Sequence, residues 1–312
     1  MTSQRVRGVA VVGPTASGKS ALAHSIALAS GGNVEIIAVD AMTVYRRMDI
    51  GTSKPTAEER NEVQYHCLDL VEPFEEFTVT QYQDTARSAQ DGISDSGKRA
   101  LYVGGTGLYG RAVIDSLEIP GQFPDVKQEL IERASRDLGE LYQELTALDP
   151  LAASRMEPTN ERRIIRALEV TLGSGRPFSS YGEGLLHYGP VNIVQVGLEN
   201  DFEILDAQIE SRFRGWMEMG LLTEVEQLAT SPRGLSKTAR QAVGYKELLR
   251  HIEDGADLEE CVIDAITQSR RLARRQRSWF RRDPRIEWFG DVESAAARVR
   301  EVLGSIEPFV RD

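Results

Sequence analysis

A phosphate-binding motif occupies residues 13–20, where the sequence has the spacing Gly-x-x-x-x-Gly-Lys-Ser. The motif follows an apolar run at residues 9–12 and leads into a helical pattern from Ala21, which is the strand–loop–helix context that it requires. Its glycines let backbone N–H groups converge on a phosphate at the positive end of a helix. Lys19 would neutralise phosphate charge, and the Ser20 hydroxyl would hold Mg²⁺. We therefore predict that a phosphorylated ligand binds to Gly13, Pro14, Thr15, Ala16, Ser17, Gly18, Lys19 and Ser20.

Two further polar residues follow apolar runs that are typical of buried strands. Asp40 follows the run 34–39, and Thr106 lies in a glycine-rich turn after the run 100–103. Ligands of a parallel sheet bind beyond the carboxyl ends of its strands, so we expect both residues in one crevice with Ser20. Position alone leaves three roles open for Asp40: a metal ligand, a general base, or a cap on the next helix.

The order of the predicted elements is that of an α/β domain. Strands are predicted at 9–12, 34–39 and 100–103, and helices are predicted from 21 and over 78–93. Alternation of strands and helices implies a parallel sheet with helices packed on its faces. We therefore predict a P-loop NTPase-like parallel sheet flanked by helices.

The strands stop at about Pro120, and one returns at 191–198. The patterns between them predict helices at 124–138, 140–148 and 161–172, and those after them predict long helices at 204–229, 237–252 and 258–282. This organisation indicates a small all-helical insertion domain at 117–189. The α/β core would then comprise residues 1–116 and 190–312.

Composition narrows the class of protein. The 312 residues are 41% hydrophobic, and no apolar run approaches the roughly 18–20 residues that span a bilayer. The chain enters its first strand too early for a signal peptide. Cys67 and Cys261 lack the spacing of metal ligands, and we interpret them as reduced thiols. We expect a cytoplasmic protein without a membrane partner, and a monomer.

The charge of the chain is distributed unevenly. The net charge is −11, yet residues 270–285 hold eight arginines and one acid, a local charge of +7 that leaves −18 elsewhere. Arg270, Arg274, Arg277 and Arg281 fall on one stripe of a helix, and Arg271, Arg275 and Arg282 fall on the adjacent stripe. Such a helix repels itself unless it meets counter-charge. Either RNA phosphates or salt bridges to the acidic remainder of the chain would supply that charge.

Segments spread over nearly the whole chain resemble the tRNA dimethylallyltransferases, also called tRNA isopentenyltransferases. The matching segments are 13–20, 40–55, 66–69, 103–109, 160–170, 220–228, 243–245 and 270–281. The resemblance implies that a dimethylallyl group passes from dimethylallyl diphosphate to the exocyclic amine (N6) of the adenine 3′-adjacent to the anticodon in tRNA. It also implies release of diphosphate, use of Mg²⁺ and binding of the tRNA anticodon stem-loop.

The resemblance assigns roles to individual residues. Asp40 would accept the amine proton and Thr106 would contact the target nucleotide, so both are predicted to be catalytic. Arg212 matches a family arginine near the diphosphate; a solvated position on a long helix is the alternative. The residues predicted to bind tRNA are Asp40, Ala41, Met42, Thr43, Thr106, Arg162, Arg163, Arg166, Arg270, Arg274, Arg277 and Arg281. For the arginines at 162, 163 and 166, an ordinary solvated helix face is the alternative.

Two other function classes fit parts of the sequence. A small-molecule P-loop kinase would bind ATP in the loop and use Asp40 to accept a proton from a hydroxyl. An RNA-binding nucleotide switch would use the loop and the arginines without catalysis. The kinase leaves the arginine-rich segment without a role, and the switch leaves Asp40 and Thr106 without one.

Overall fold

The computed structural model describes residues 6–182, 185 and 187–306. Its strands are β1 (Gly8–Val12), β2 (Val34–Val39), β3 (Tyr65–His66), β4 (Arg99–Gly104), β5 (Ile193–Leu198) and β6 (Ile286–Phe289). In the described part of the chain they form one parallel sheet in the order β3-β2-β4-β1-β5-β6. The central strands are covered on both faces, which explains why they are apolar along their length. The predicted α/β fold with a parallel sheet is confirmed.

The central strands end level with one another at one edge of the sheet. Val12 is in register with Gly104 and Gly197, and Val39 is in register with Gly104. The loops that follow β1, β2 and β4 therefore leave the sheet from neighbouring points. This register brings the phosphate-binding motif and the segments after β2 and β4 together.

Thirteen α-helices occur in the described part of the chain. Their bounds are α1 (Lys19–Ala29), α2 (Ala57–Glu62), α3 (Val79–Asp95), α4 (Gly107–Ile114), α5 (Pro124–Ala134), α6 (Leu138–Leu148), α7 (Pro150–Ser154), α8 (Glu161–Ser174), α9 (Phe202–Glu218), α10 (Leu221–Ala229), α11 (Tyr245–Asp254), α12 (Leu258–Phe280) and α13 (Val292–Ser305). Short 3₁₀ turns occur at Phe178–Tyr181 and Ala239–Gln241. Among the described residues, every helix is too short or too polar to span a bilayer.

Each face of the sheet has its own apolar core. On one face, side chains of α1 and α13, such as Ile26 and Val299, pack on Val11. On the other face, α3 packs on β2 and β4, and α9 and α12 contribute side chains to the same apolar cluster, in which Phe213 and Tyr102 are fully buried. Helices α9 and α12 are therefore fixed against the sheet, and they carry side chains to the edge where the strands end.

Glycines interrupt two of the predicted long helices. The prediction of one helix over 204–229 is wrong, because α9 ends at Glu218 and Gly220, at φ 99°, precedes α10. The prediction of a helix over 237–252 is wrong in its first part, because α11 begins after Gly244, at φ 95°. Both glycines have a positive φ, which stops a helix. The apolar spacing continues on both sides of each break, so the sequence pattern does not reveal it.

The chain divides into two compact units, Met1–Asp115 with Gly189–Asp312, and Ser116–Tyr188. Each boundary lies one residue before the predicted boundary of the insertion domain. The described part of the second unit is helical, with α5 to α8 packed around Leu141 and Ile164. The first unit contains the sheet and all the residues of the candidate active site that is described next.

Candidate active site

The phosphate loop (residues 13–20) connects β1 to α1 and depends on its glycines. Gly13 has a φ of 153°, and a Cβ atom there would lie 2.6 Å from the carbonyl oxygen of Leu198. A side chain would therefore push the loop away from the end of β5. Gly18, at φ 86°, turns the chain into the first turn of α1. The helix N-terminus so placed presents backbone N–H groups to an anion.

The ammonium of Lys19 lies inside the concave face of the phosphate loop. Its Nζ donates a hydrogen bond to the Pro14 carbonyl oxygen at 3.0 Å. Burial, together with the positive charge of Arg212, lowers the pKa of Lys19 to about 8, while the nearby charge of Asp40 opposes this shift. Two cations thus repel each other across the loop, and a bound anion would relieve that repulsion.

Arg212 reaches the phosphate loop from α9. Its Nη2 donates to Thr15 Oγ1 at 2.6 Å, and its guanidinium carbon lies 4.8 Å from the centre of the Trp216 ring. Burial lowers the pKa of Arg212 to about 10. The structure therefore places Arg212 at the loop, and the alternative of a solvated helix position does not hold.

Two buried polar atoms near the loop lack hydrogen-bond partners among the described residues. They are Arg212 Nε and the hydroxyl oxygen of Ser17. A buried donor without a partner costs about 1–3 kcal/mol. An anion in the loop would offer acceptors for such donors, so these atoms support the prediction of a phosphorylated ligand.

Asp40 and Thr106 meet at the level ends of β2 and β4. Asp40 Oδ1 accepts hydrogen bonds from the backbone N–H groups of Met42 at 2.7 Å and Thr43 at 3.3 Å. Thr106 Oγ1 donates to Asp40 Oδ2 at 3.4 Å and accepts from the Ala41 N–H at 3.2 Å. One carboxylate oxygen thus caps the turn after β2. The other, with its long hydrogen bond, is the candidate proton acceptor.

The pairing of Asp40 with Thr106 requires a glycine at the end of β4. A Cβ atom at Gly104 would lie 1.9 Å from the carbonyl oxygen of Val39. The two chains approach this closely just before Asp40 and Thr106, so any side chain at Gly104 would separate them. The close approach is a property of the register and could not be deduced from the strand pattern.

The remaining residues of the turn after β2 are partly or fully covered. Ala41 and Met42 are half-buried, and Thr43 is buried, with a hydroxyl that finds no partner among the described residues. Ser20 is exposed at the start of α1. Its hydroxyl is a hard oxygen donor of the kind that Mg²⁺ prefers.

Sequence reasoning missed one residue of the site, Gln276 of α12. Its side-chain amide contacts both the phosphate loop and the turn before Thr106: Oε1 accepts from the Thr15 N–H at 2.8 Å, and Nε2 donates to the Gly105 carbonyl oxygen at 2.9 Å. A signal was available, because Gln276 is three residues after the buried Ala273 and four before the buried Phe280. A neutral amide on that helix face, within a run of arginines, is unusual for a solvated position.

Two of the arginines predicted to meet RNA phosphates are paired with acids of α9. Arg270 contacts Glu210 at 2.7 Å. Arg274 donates to both carboxylate oxygens of Asp206, at 3.0 and 2.8 Å. These pairs hold α12 against α9.

The other two arginines of this stripe share one acid. Arg277 and Arg281 both pair with Glu199, the residue after β5. The counter-charge for the whole stripe is therefore supplied by the chain itself, as the salt-bridge alternative states. Contact of these four arginines with tRNA stays a prediction.

Family models match most of the chain. Residues 43–283 match the model described as IPP transferase, and residues 6–72 match the model described as isopentenyl transferase. The chain belongs to the IPP transferase family. Among its relatives, the tRNA dimethylallyltransferase of Bifidobacterium animalis subsp. lactis is 41% identical, covering 93% of this chain and 84% of the relative. That of Paenarthrobacter aurescens is 43% identical, covering 90% of each.

A solved structure has the same architecture. The full-length tRNA isopentenylpyrophosphate transferase of Bacillus halodurans is 34% identical, with a TM-score of 0.69, covering 97% of this chain and 98% of that chain. The predicted family resemblance is therefore confirmed. It favours a transferase over the kinase alternative.

A second arginine stripe of this IPP transferase is solvent-exposed. Arg271, Arg275 and Arg282 form no ion pair with any residue that the structure describes. Arg271 and Arg275 project from α12, and Arg282 lies in the turn just after its end. Their charge is available to a polyanion without displacing a carboxylate.

The three candidate arginines of the IPP transferase's smaller unit differ from one another. Arg162 and Arg163 are exposed at the start of α8. Arg166 instead contacts the buried carboxylate of Glu169 at 2.9 Å and donates to the Pro120 carbonyl oxygen at 2.9 Å. Arg166 therefore stabilises its own unit, whereas the other two are accessible to a ligand.

Proposed function

We propose that this IPP transferase moves a dimethylallyl group from dimethylallyl diphosphate to the N6 amine of the adenine 3′-adjacent to the anticodon in tRNA, releasing diphosphate. The observation that carries the proposal is the position of the Asp40–Thr106 pair beside a phosphate loop that contains Lys19 and Arg212. Such a site suits a reaction in which an anion leaves while a proton is lost. The relatives named tRNA dimethylallyltransferase support the same reaction.

The proton acceptor in this proposal is Asp40. The exocyclic amine of adenine is a weak nucleophile, because its lone pair is delocalised into the ring. As N6 bonds to C1 of the dimethylallyl group, the bond from C1 to the diphosphate oxygen breaks and its electron pair leaves with the diphosphate. Asp40 Oδ2 takes one N6 proton, so the amine product is neutral. The hydrogen bonds from Met42 and Thr106 orient the carboxylate for this transfer.

Negative charge that develops on the diphosphate is stabilised at the phosphate loop. Lys19 and Arg212 supply positive charge there, and the start of α1 supplies N–H donors. The Ser20 hydroxyl would hold Mg²⁺, which when bound neutralises diphosphate charge. The described residues contain no cluster of three acidic, histidine or cysteine side chains. Mg²⁺ usually keeps several waters and binds substrate phosphates, so it suits a site with few protein ligands.

Titration of Lys19 should be visible in the binding of inorganic diphosphate. With a pKa of about 8, Lys19 in the free enzyme loses its charge as pH rises from 7 to 9. The protonated fraction falls from about 0.9 to about 0.1 over that interval. The ratio of the dissociation constants of Lys19→Met and wild type, measured calorimetrically, should therefore shrink about tenfold. A ratio that is constant across this range contradicts the assignment, and comparison with Lys19→Met removes the titration of diphosphate itself.

The proposed partner is the anticodon stem-loop of tRNA. We propose contacts to it from the segment Asp40–Thr43, from Thr106, from Arg162, Arg163 and Arg166, and from Arg270, Arg274, Arg277 and Arg281. For the last four, an RNA phosphate would replace the carboxylate that now pairs with each arginine. We further propose that the enzyme acts as a monomer in the cytoplasm.

The exposed arginine stripe of α12 should contribute to the salt dependence of tRNA binding. Each phosphate contact adds about 0.7–0.9 to the slope of log affinity against log salt concentration. The double variant Arg271→Gln with Arg275→Gln should therefore lower the slope by about 1.5 and weaken binding at low salt. Fluorescence anisotropy with labelled tRNA over a salt series measures both quantities.

A matched control removes the same charge elsewhere. Arg240→Gln with Arg250→Gln deletes two exposed arginines that pair with Glu253 and Asp264. This variant should keep the wild-type slope. Equal slopes in both double variants would show that the exposed stripe of α12 does not contact phosphate.

The choice between two candidate substrates tests the proposed function directly. Purified protein is supplied with Mg²⁺, tRNA and either dimethylallyl diphosphate or ATP, and the tRNA nucleosides are analysed by mass spectrometry. We expect a dimethylallyl adduct on one adenosine, with one diphosphate released per adduct. Transfer or hydrolysis of the terminal phosphate of ATP, with unmodified tRNA in the presence of dimethylallyl diphosphate, would instead establish the kinase.

A further inference from the structure

We propose that Gln276 is a positioning residue for the proposed prenyl transfer, which it serves by holding the phosphate loop and the Thr106 turn at a fixed separation. The proposal rests on the proposed function. Gln276 belongs to α12 and lies far along the chain from the groups that it holds, because its hydrogen bonds to Thr15 and Gly105 span 261 and 171 positions.

The side chain of Gln276 accepts one hydrogen bond and donates another. Oε1 accepts from the Thr15 N–H at 2.8 Å, and Nε2 donates to the Gly105 carbonyl oxygen at 2.9 Å. A neutral primary amide is suited to this bridge, because it donates and accepts through adjacent atoms. The fit is tight: a Cβ atom at Gly105 would lie 2.6 Å from Nε2.

The two backbone groups that Gln276 holds belong to different parts of the site, one on the diphosphate side and one on the side of the proton acceptor. Thr15 also binds Arg212 through its hydroxyl, at 2.6 Å, so this position is tied to the diphosphate side. Gly105 immediately precedes Thr106, whose hydroxyl contacts Asp40 Oδ2. The amide therefore joins the leaving-group side to the proton-acceptor side. A misplacement of reacting groups by about 1 Å can cost about 100-fold in rate.

Packing around Gln276 supports a fixed rather than a mobile bridge. Trp279, three residues further along α12, lies against the next turn: a Cβ atom at Gly107 would be 2.2 Å from its ring. On the other side of the same helix, Arg274 is held by Asp206. The backbone of α12 is thus anchored both to the turn after β4 and to α9, and Gln276 projects from an anchored segment.

Two substitutions separate positioning from general stability. Gln276→Met keeps the size of the side chain and removes both hydrogen bonds. Gln276→Glu keeps an acceptor for the Thr15 N–H but, when ionised, sets a carboxylate oxygen against the Gly105 carbonyl. A protonated glutamic acid restores a donor. Gln268→Met is the matched control, since Gln268 lies two helical turns earlier on α12 and bonds only to Asp264 among the described residues.

The readout is the single-turnover rate of adenosine prenylation at saturating dimethylallyl diphosphate and tRNA. Gln276→Met should lower this rate about 10- to 100-fold. Its tRNA dissociation constant should stay within about twofold of wild type, and Gln268→Met should match wild type in both quantities. The ratio of the Gln276→Glu rate to the wild-type rate should rise as pH falls from 8 to 5.5, because protonation restores the donor.

The possible results distinguish a failure of the Gln276 proposal from a failure of the proposed function. A Gln276→Met rate within twofold of wild type, or a Gln276→Glu ratio that does not change with pH, overturns the proposal. If Gln276→Met does not fold, the pH dependence of the Gln276→Glu ratio decides by itself. Absence of prenylation by the wild-type enzyme would refute the proposed function instead, so the two failures are distinguishable.

Discussion

Replacing Asp40 with asparagine is expected to lower the single-turnover rate of prenylation by about 10²- to 10⁴-fold. Asparagine has the shape of aspartate and retains an acceptor for the Met42 and Thr43 N–H groups, so the turn after β2 should persist. The amide group that replaces Oδ2 in asparagine cannot accept the N6 proton. The loss should therefore appear in the chemical step at saturating substrates, measured by rapid quench, with tRNA affinity little changed.

The comparison variant for this experiment is Asp91→Asn. Asp91 is an exposed carboxylate of α3 that contacts Arg7 at 3.7 Å, and its loss should leave the rate at the wild-type value. An undiminished rate in Asp40→Asn, with tRNA still bound, would remove Asp40 from the role of base. The cap made by Oδ1 would then be its whole contribution.

Replacing Lys19 with methionine is expected to lower kcat/KM for dimethylallyl diphosphate by about 10²- to 10³-fold. The ammonium of Lys19 lies in the loop, and burial and Arg212 already lower its pKa to about 8. Its interaction with diphosphate should strengthen as charge accumulates on the leaving oxygen. We therefore expect a fall in kcat as well as a rise in KM, measured in steady-state prenylation assays.

Lys246→Met serves as the control for the loss of one lysine charge. Lys246 is exposed on α11, and its replacement should leave both constants unchanged. If Lys19→Met raises KM but leaves kcat intact, Lys19 contributes equally to ground-state and transition-state binding. The stabilisation of the leaving group would then belong to Arg212 and the N–H groups at the start of α1.

The phosphate loop illustrates what short-range sequence signals can determine. The apolar run of β1, the two glycines and Lys19 specify a strand, a tight loop and a helix start through interactions among neighbours in the chain. The same holds for Asp40, because parallel strands end at one edge whatever the details of packing. These signals predicted the crevice in which Asp40, Thr106 and the loop meet.

The roles of the arginines illustrate what such signals leave open. The periodicity of α12 places Arg274 and Arg277 on one stripe, yet it contains no information on the acids that face them. Asp206 comes from α9 and Glu199 follows β5. Whether a charged stripe faces solvent or its own chain depends on helix packing, which a pattern within one helix does not encode.

The sequence by itself determined the parallel α/β core, the phosphate loop and the position of Asp40 beside that loop, because each depends on local spacing or on the rule that joins parallel strands. The tertiary structure alone decided the helix break at Gly220, the ion pairs of the arginine stripe and the bridge from Gln276 to Thr15 and Gly105. These features join groups that are far apart in the chain, or they depend on a backbone conformation that the spacing of apolar residues does not predict. Their energies are set by the packed fold.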